Sequence, residues 1–281
     1  MHDYQLTPAR LEAFARHLQA EERSPGTVEK YRRDTAAFAR WLGGSPVSQE
    51  KTAAWKAHLL AARYAPVTIN SMLAALNSLF RFLDWQHLRV RFLKVQRQLF
   101  RDAGRELDRA EYARLVAAAR RQGKHRLALV METICATGIR VSETAYITVE
   151  AARRGRAEIA LKGKIRTILL PGKLCRKLLG YAKAQNLLSG RIFRTKTGNP
   201  LTRRQIWAEM KALCRQAGVK ASKVFPHNLR HLFATTFYQV SRNLVQLADV
   251  LGHASIETTR LYLITSGAEH ARQLERLNLI E

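Results

Sequence analysis

The chain has 281 residues, 47% of them hydrophobic, which is long enough for one large domain or two and apolar enough to bury a sizeable core. Lys and Arg number 48 against 22 Asp and Glu, a formal net charge of +26; self-repulsion of that size needs a polyanion to neutralise it, and nucleic acid is the expected partner. The three cysteines show no CxxC or Cys/His spacing, which excludes a zinc site or a disulfide framework, and no apolar run is long enough to span a bilayer.

The charge is not confined to a tail. Residues 1–105 carry 17 basic and 9 acidic side chains, and residues 106–281 carry 31 and 13, so both halves are expected to touch the partner. The opening MHDYQLTPAR is polar and charged, so no secretory leader is expected. Cys135, Cys175 and Cys214 read as buried apolar fillers in a reducing cytoplasm, and the basic charge suits association with the nucleoid.

The first third reads as helices only. Thr7-Pro8 opens the first, with Leu11, Phe14, Ala15 and Leu18 on one face. Ser24 is placed as N-cap and Pro25 as first residue of the second, whose stripe is Val28, Tyr31, Thr35, Phe38 and Leu42; Gly43-Gly44 ends it. A third helix spans 48–63. A fourth follows Ala65-Pro66, with Ile69, Leu73, Leu76, Phe80 and Leu83 inward, completing a small bundle. Periodicity then breaks from about Phe92 to Arg105, where LKVQRQLFRDAGR reads as a basic linker. Beyond it the element types mix. Helices near 108–121 and 124–137 lead to Gly138, and three β-like runs follow at Ala145–Val149, Ala157–Leu161 and Arg166–Leu170. The second and third flank Lys162-Gly163-Lys164, a basic hairpin tip. Helical patterns resume near 173–187, 202–217, 227–240, 243–251, 256–264 and 267–277.

Several polar residues in this second part sit among apolar neighbours. Arg140 lies in CATGIRVSE, His227 and Arg230 in FPHNLRHLFATTF three residues apart, His253 in LADVLGHASIETT, and Tyr262 nine residues later. Singly, each has an ordinary structural reading: a paired core Arg, a packed Tyr. Together they hold what transfer at a phosphodiester needs. Two guanidiniums can fork onto non-bridging oxygens and hold the charge of the transition state. Imidazoles can donate hydrogen bonds or move a proton, and a phenol can make a covalent intermediate. No carboxylate trio suggests a two-metal site and no Walker-type loop suggests nucleotide use, so neither cofactor nor metal is expected. Glu143 either orients Arg140 or is an ordinary surface carboxylate; His231 reads more simply as a satisfied core residue.

These residues resemble the tyrosine recombinases, or phage-type integrases, and in particular the Xer proteins and small recombinases of bacterial mobile elements. ATGIRVSE is similar to the box carrying the family's first catalytic Arg, PHNLRH to its HxxR box, and LGHASIETTRLY to its His-to-Tyr box. SPGTVEKYRRDTAAFARWL resembles the helical core-binding domain that precedes the catalytic one. The resemblance implies a mainly α fold with a small antiparallel sheet: a SAM-like core-binding domain at 1–92, a linker at 93–106, and an α+β catalytic domain at 107–281 ending in a tail helix. It implies that Tyr262 attacks the scissile phosphate to give a 3′-phosphotyrosine, while Arg140 and Arg230 clamp the phosphate and His227 and His253 assist. A hairpin Lys would protonate the leaving 5′ oxygen. LKGKIRTILLP is one residue shorter than the usual KGxKxR tip, so Lys162 or Lys164 is that acid, and Lys162, preceding the Gly, is favoured. Double-stranded DNA is the implied partner, bound by a homotetramer with a dimer per site. Two alternatives stand beside this one: a catalytically silent DNA-binding accessory protein, and a type IB topoisomerase-like relaxing enzyme. The tail SGAEHARQLERLNLIE aligns Ala268, Ala271, Leu274 and Leu277, to pack on its own domain or on a neighbouring protomer.

Overall fold

A computed structural model describes residues 4–95, 103–161, 164–195, 197–253, 255–260, 262 and 275–277. The chain divides into two compact units, Met1–Arg97 and Gln98–Glu281.

In the first unit, capping chemistry sets where the helices begin. The Thr7 hydroxyl accepts from the Arg10 amide at the start of α1 (Pro8–Ala20), and the Ser24 hydroxyl accepts from Thr27 at the start of α2 (Pro25–Leu42). Each places Pro at the first helical position, where its missing N–H costs nothing. Gly43, at φ 59°, stops α2 in the left-handed region. Ser48 caps α3 (Gln49–Ala61), and α4 (Pro66–Phe82) completes the bundle. Phe14, Leu18, Phe38, Leu59, Leu73 and Phe80 meet in a dry core, each side chain worth about 1.5–3 kcal/mol of burial. After α4, Val90 and Leu93 are clamped to that helix by two asparagines. Asn77 donates to the Val90 carbonyl and accepts from its amide, both at 2.9 Å, and Asn70 does the same with Leu93 at 2.9 and 2.8 Å. The side-chain amides thus stand in for a neighbouring strand.

The second unit is built around α6 (His125–Thr137), which is buried on nearly every side. α5 (Arg109–Arg121) packs on it, started by a reciprocal Asp108–Glu111 capping box. After α6 come a 3₁₀ turn (Val141–Tyr146), the short α7 (Val149–Arg154), and an antiparallel hairpin of β1 (Arg156–Leu161) and β2 (Lys164–Leu169). Ile159 faces Arg166 across that ladder. α8 (Gly172–Ala184), α9 (Arg203–Lys211), α10 (Cys214–Ala217), α11 (Pro226–Ser241), α12 (Leu244–Leu251) and α13 (Ile256–Arg260) follow. α8 and α11 pack on α6, and α12 on α11. Among the described residues, no helix is long and apolar enough to cross a membrane.

Two expectations need correction. Residues 145–149 do not form a strand: the 3₁₀ turn runs through Tyr146, and only an isolated bridge, Thr148 to Arg191, remains. The Thr148 hydroxyl accepts from the Ala151 amide and turns the backbone into α7, so the alternating apolar positions belong to a cap. The helix expected over 202–217 is interrupted at Ala212–Leu213, where the Leu213 amide bonds to Met210 three residues back instead of four. Cys175 and Cys214 are buried, whereas Cys135 is only partly so. The tail helix expected at 267–277 lies outside the described residues, but for 275–277.

Candidate active site

Gly138 organises the site. It ends α6 at φ +65°, and a Cβ there would meet the Phe233 ring at 2.4 Å and Leu251 at 3.0 Å. Only glycine combines that backbone with so close an approach. Its carbonyl accepts from Arg230 Nη1 at 2.6 Å, and Arg140 follows two residues later.

Arg140 is 43% exposed and leaves the end of α6 pointing its guanidinium toward Glu143, whose Oε1 accepts from Nη1 at 3.1 Å. Glu143 Oε2 accepts from the Arg140 amide at 2.6 Å, so one carboxylate fixes both backbone and side chain. Glu143 is 2% exposed and takes a second cation, Arg166 of β2, whose Nη2 donates to Oε2 at 2.6 Å. The surface reading of Glu143 does not hold.

Arg230, in the second turn of α11, is buried. Besides Gly138 it donates to the Leu251 carbonyl at 2.9 Å and contacts His253 Nε2 at 2.8 Å through Nη2. Burial pulls its pKa down, and the phenol opposes that shift. A guanidinium has no acceptor, so His253 Nε2 must accept, and the ring proton sits on Nδ1, donating to Thr259 Oγ1 at 2.8 Å. Burial, then the charges of Arg230, Arg140, Arg166 and His227, push the His253 pKa down to about 4. The ring is neutral at physiological pH.

Tyr262 is 6% exposed and closes the site. Its ring lies 5.7 Å from His227, 5.3 Å from His231 and 5.7 Å from His253, stacked on the last at 15°. Five of the six residues singled out from the sequence therefore converge: Arg140, His227, Arg230, His253 and Tyr262. Lys162 lies outside the described residues, and of Lys164 only its place at the start of β2 is described. Sequence reasoning missed Arg166 and Thr259, and it set His231 aside although that ring packs on Tyr262. Arg166 carried no readable signal: Ile165, Ile168, Leu169 and Leu170 are all apolar, and only burial of Ile168 and Leu170 beside exposure of Ile165 and Leu169 shows which side of the strand it shares. Among the described residues, no group of three or more His, Cys, Asp or Glu is placed to hold a metal ion.

Residues 105–268 match the Phage integrase family and residues 11–87 its N-terminal SAM-like domain. The tyrosine recombinase XerA of Pyrococcus furiosus is 29% identical, with 96% of this chain and 94% of that protein covered. The tyrosine recombinase XerD of Brucella suis is 32% identical, with 90% and 91% covered. In fold, the chain is similar to a lambda integrase dimer (residues 75–356) bound to a COC′ core site, at a TM-score of 0.72 and 18% identity, covering 92% of this chain and 95% of that one. On the matched length and these relatives, the chain belongs to the phage integrase family, the tyrosine recombinases.

Proposed function

We propose that this recombinase cuts and rejoins duplex DNA at a specific site, with Tyr262 as nucleophile. The observation that carries the reading is the Tyr262 ring, buried among His227, His231 and His253, with Arg230 bonded to the last of these. The Oη–P bond forms as the P–O5′ bond breaks, giving a 3′-phosphotyrosine and a free 5′ hydroxyl; the reverse step rejoins the strand, and no energy source is consumed. Arg140 and Arg230 clamp the non-bridging oxygens, each guanidinium pre-aimed by protein acceptors so that little reorganisation is needed when charge develops.

His253 is neutral in the free protein. Burial and then the neighbouring cations hold its pKa down, and a phosphate oxygen bound at Arg230 would offset only the second of these and raise it toward its ordinary value. His227, exposed at the start of α11, faces the phenol ring and serves in hydrogen bonding or proton transfer. Lys162 protonates the leaving 5′ oxygen. Residues 1–92 are the core-binding domain and 107–281 the catalytic domain, joined by a linker at 93–106. The partner is double-stranded DNA, with a dimer on each site and a homotetramer at synapsis; the lambda integrase similarity, to a dimer on a core site, supports the dimer. The basic charge supports residence on the nucleoid.

The test is covalent trapping. Nicked suicide duplexes drawn from the DNA flanking the protein's own gene, incubated in EDTA, are expected to give a covalent species mapping to Tyr262. Tyr262→Phe is expected to bind the same duplex and give none. An adduct that survives Tyr262→Phe, or no adduct on any flanking duplex, overturns the reading.

A further inference from the structure

Arg166 belongs to none of the three boxes, yet it joins the segments that carry them. It sits on β2 opposite Ile159, and its guanidinium leaves the sheet for the site. Nη2 holds Glu143 Oε2 at 2.6 Å, on the carboxylate that fixes Arg140. Nη1 donates to the Val250 carbonyl at 3.1 Å, the last turn of α12 before Gly252 and His253. The backbone makes room for it: Gly252 has φ +63°, and a Cβ there would lie 2.5 Å from Arg166 Nη1 and 2.7 Å from Cδ. Its Nε is buried and finds no hydrogen-bond partner among the described residues. A cation needed only to hold a strand in place would sit more cheaply at the surface.

We propose that Arg166 is a positioning residue of this active site, clamping the Glu143 carboxylate behind Arg140 and the turn that carries His253 so that the hairpin and the phosphate-binding groups hold one geometry. Among the described residues it makes no hydrogen bond to Tyr262 or Arg230, so it acts through Glu143 and through the 250–253 turn. Lysine is a poor replacement, because a single ammonium would have to reach from one point the Glu143 carboxylate and the Val250 carbonyl, which Arg166 meets with two different nitrogens. The inference rests on the strand-cleavage reading above.

The experiment uses the full chain and the nicked duplex that gives the wild-type adduct. Arg166→Met, Arg166→Lys, Glu143→Gln and the Arg166→Met/Glu143→Gln pair are compared by thermal melting, DNA affinity and single-turnover adduct formation at saturating DNA. Arg166→Met is expected to lower the adduct rate by roughly 100-fold, the scale of a misplaced reacting group. Affinity should stay within about threefold, because the phosphate contacts that dominate it are untouched. Arg166→Lys should recover little of the rate. The double variant should be about as slow as the slower single one, since both act through one carboxylate. The inference is overturned if Arg166→Met cleaves at the wild-type rate when saturated, if Arg166→Lys restores that rate, or if the two losses multiply. A wild-type chain that forms no adduct is a different result: the cleavage reading fails, and the inference falls with it.

Discussion

His253 accepts a hydrogen bond through Nε2 and donates one through Nδ1, and that assignment has a consequence for pH. Its ordinary pKa of 6.5 is driven to about 4 in the folded chain by burial first and by the surrounding guanidiniums second. The unfolded chain therefore takes up the proton before the folded one does. Stability from the neutral ring is complete above pH 6.5, declines as pH falls through the window between 6.5 and 4, and is gone below it. His253→Gln should flatten that part of the melting curve. We expect the wild-type Tm to fall more steeply than the variant's from pH 6.5 to 4, read by scanning calorimetry at fixed ionic strength. Parallel curves would mean that the ring is not held neutral. At this scale the sequence was informative where a residue is both odd in its surroundings and part of a spaced box: Arg140, His227, Arg230, His253 and Tyr262 all stood out as polar interruptions of apolar helices. Glu143 and Arg166 did not, because an acidic residue one helical turn from an arginine, or an arginine in a basic hairpin, is common on any surface. What distinguishes them is burial, set by segments more than twenty residues apart.

The end of α6 shows how an element's stop signal and the chemistry are one feature. Gly138 reads in sequence as a helix terminator, and it is one. The fold also uses the space left by its missing side chain to seat Phe233 and Leu251, and its carbonyl to hold Arg230. Gly138→Ala adds left-handed strain of about 1–2 kcal/mol and a packing conflict of about 1–3 kcal/mol. We expect the larger unit to lose about 2–5 kcal/mol in denaturant unfolding, the sum of those two terms. Covalent adduct formation should fall further than binding, because Arg230 is displaced with the carbonyl. A variant as stable and as active as wild type would show that α6 ends loosely. Four helix starts were legible for a similar reason: Thr7, Ser24, Ser48 and Asp108 act locally on amides three residues away. The supposed strand at 145–149 failed because period-2 alternation is also produced by a 3₁₀ turn followed by a cap, and only the long-range partner at Arg191 decides between them. The asparagine clamps on 90–93 were likewise invisible, since they satisfy backbone groups far along the chain.

For the whole molecule the dominant quantity is charge. A net +26 shared between both sequence halves makes counterion release the main source of affinity for duplex DNA, whatever the sequence bound. If about eight phosphates are neutralised, the plot of log affinity against log salt has a slope of about −7, and affinity falls roughly 10⁴-fold between 50 and 200 mM salt. The site itself should respond differently. Arg230 is buried and Arg140 is tied to a buried carboxylate, so under the proposed mechanism they would act on the scissile phosphate over distances well inside the Debye length of about 8–10 Å. Titrating salt should therefore weaken binding steeply while leaving the single-turnover cleavage rate at saturating DNA almost unchanged. Tyr262→Phe should keep the full slope, since a phenol contributes no cation. Arg140→Ala should reduce it by about one and abolish the adduct. A slope shallower than about −3 would place most of the positive charge away from the DNA, and the +26 would then need another partner. A cleavage rate that falls with salt in parallel with binding would mean that the clamp is screened by solvent, contrary to the burial of Arg230 and Glu143 on which this electrostatic division depends.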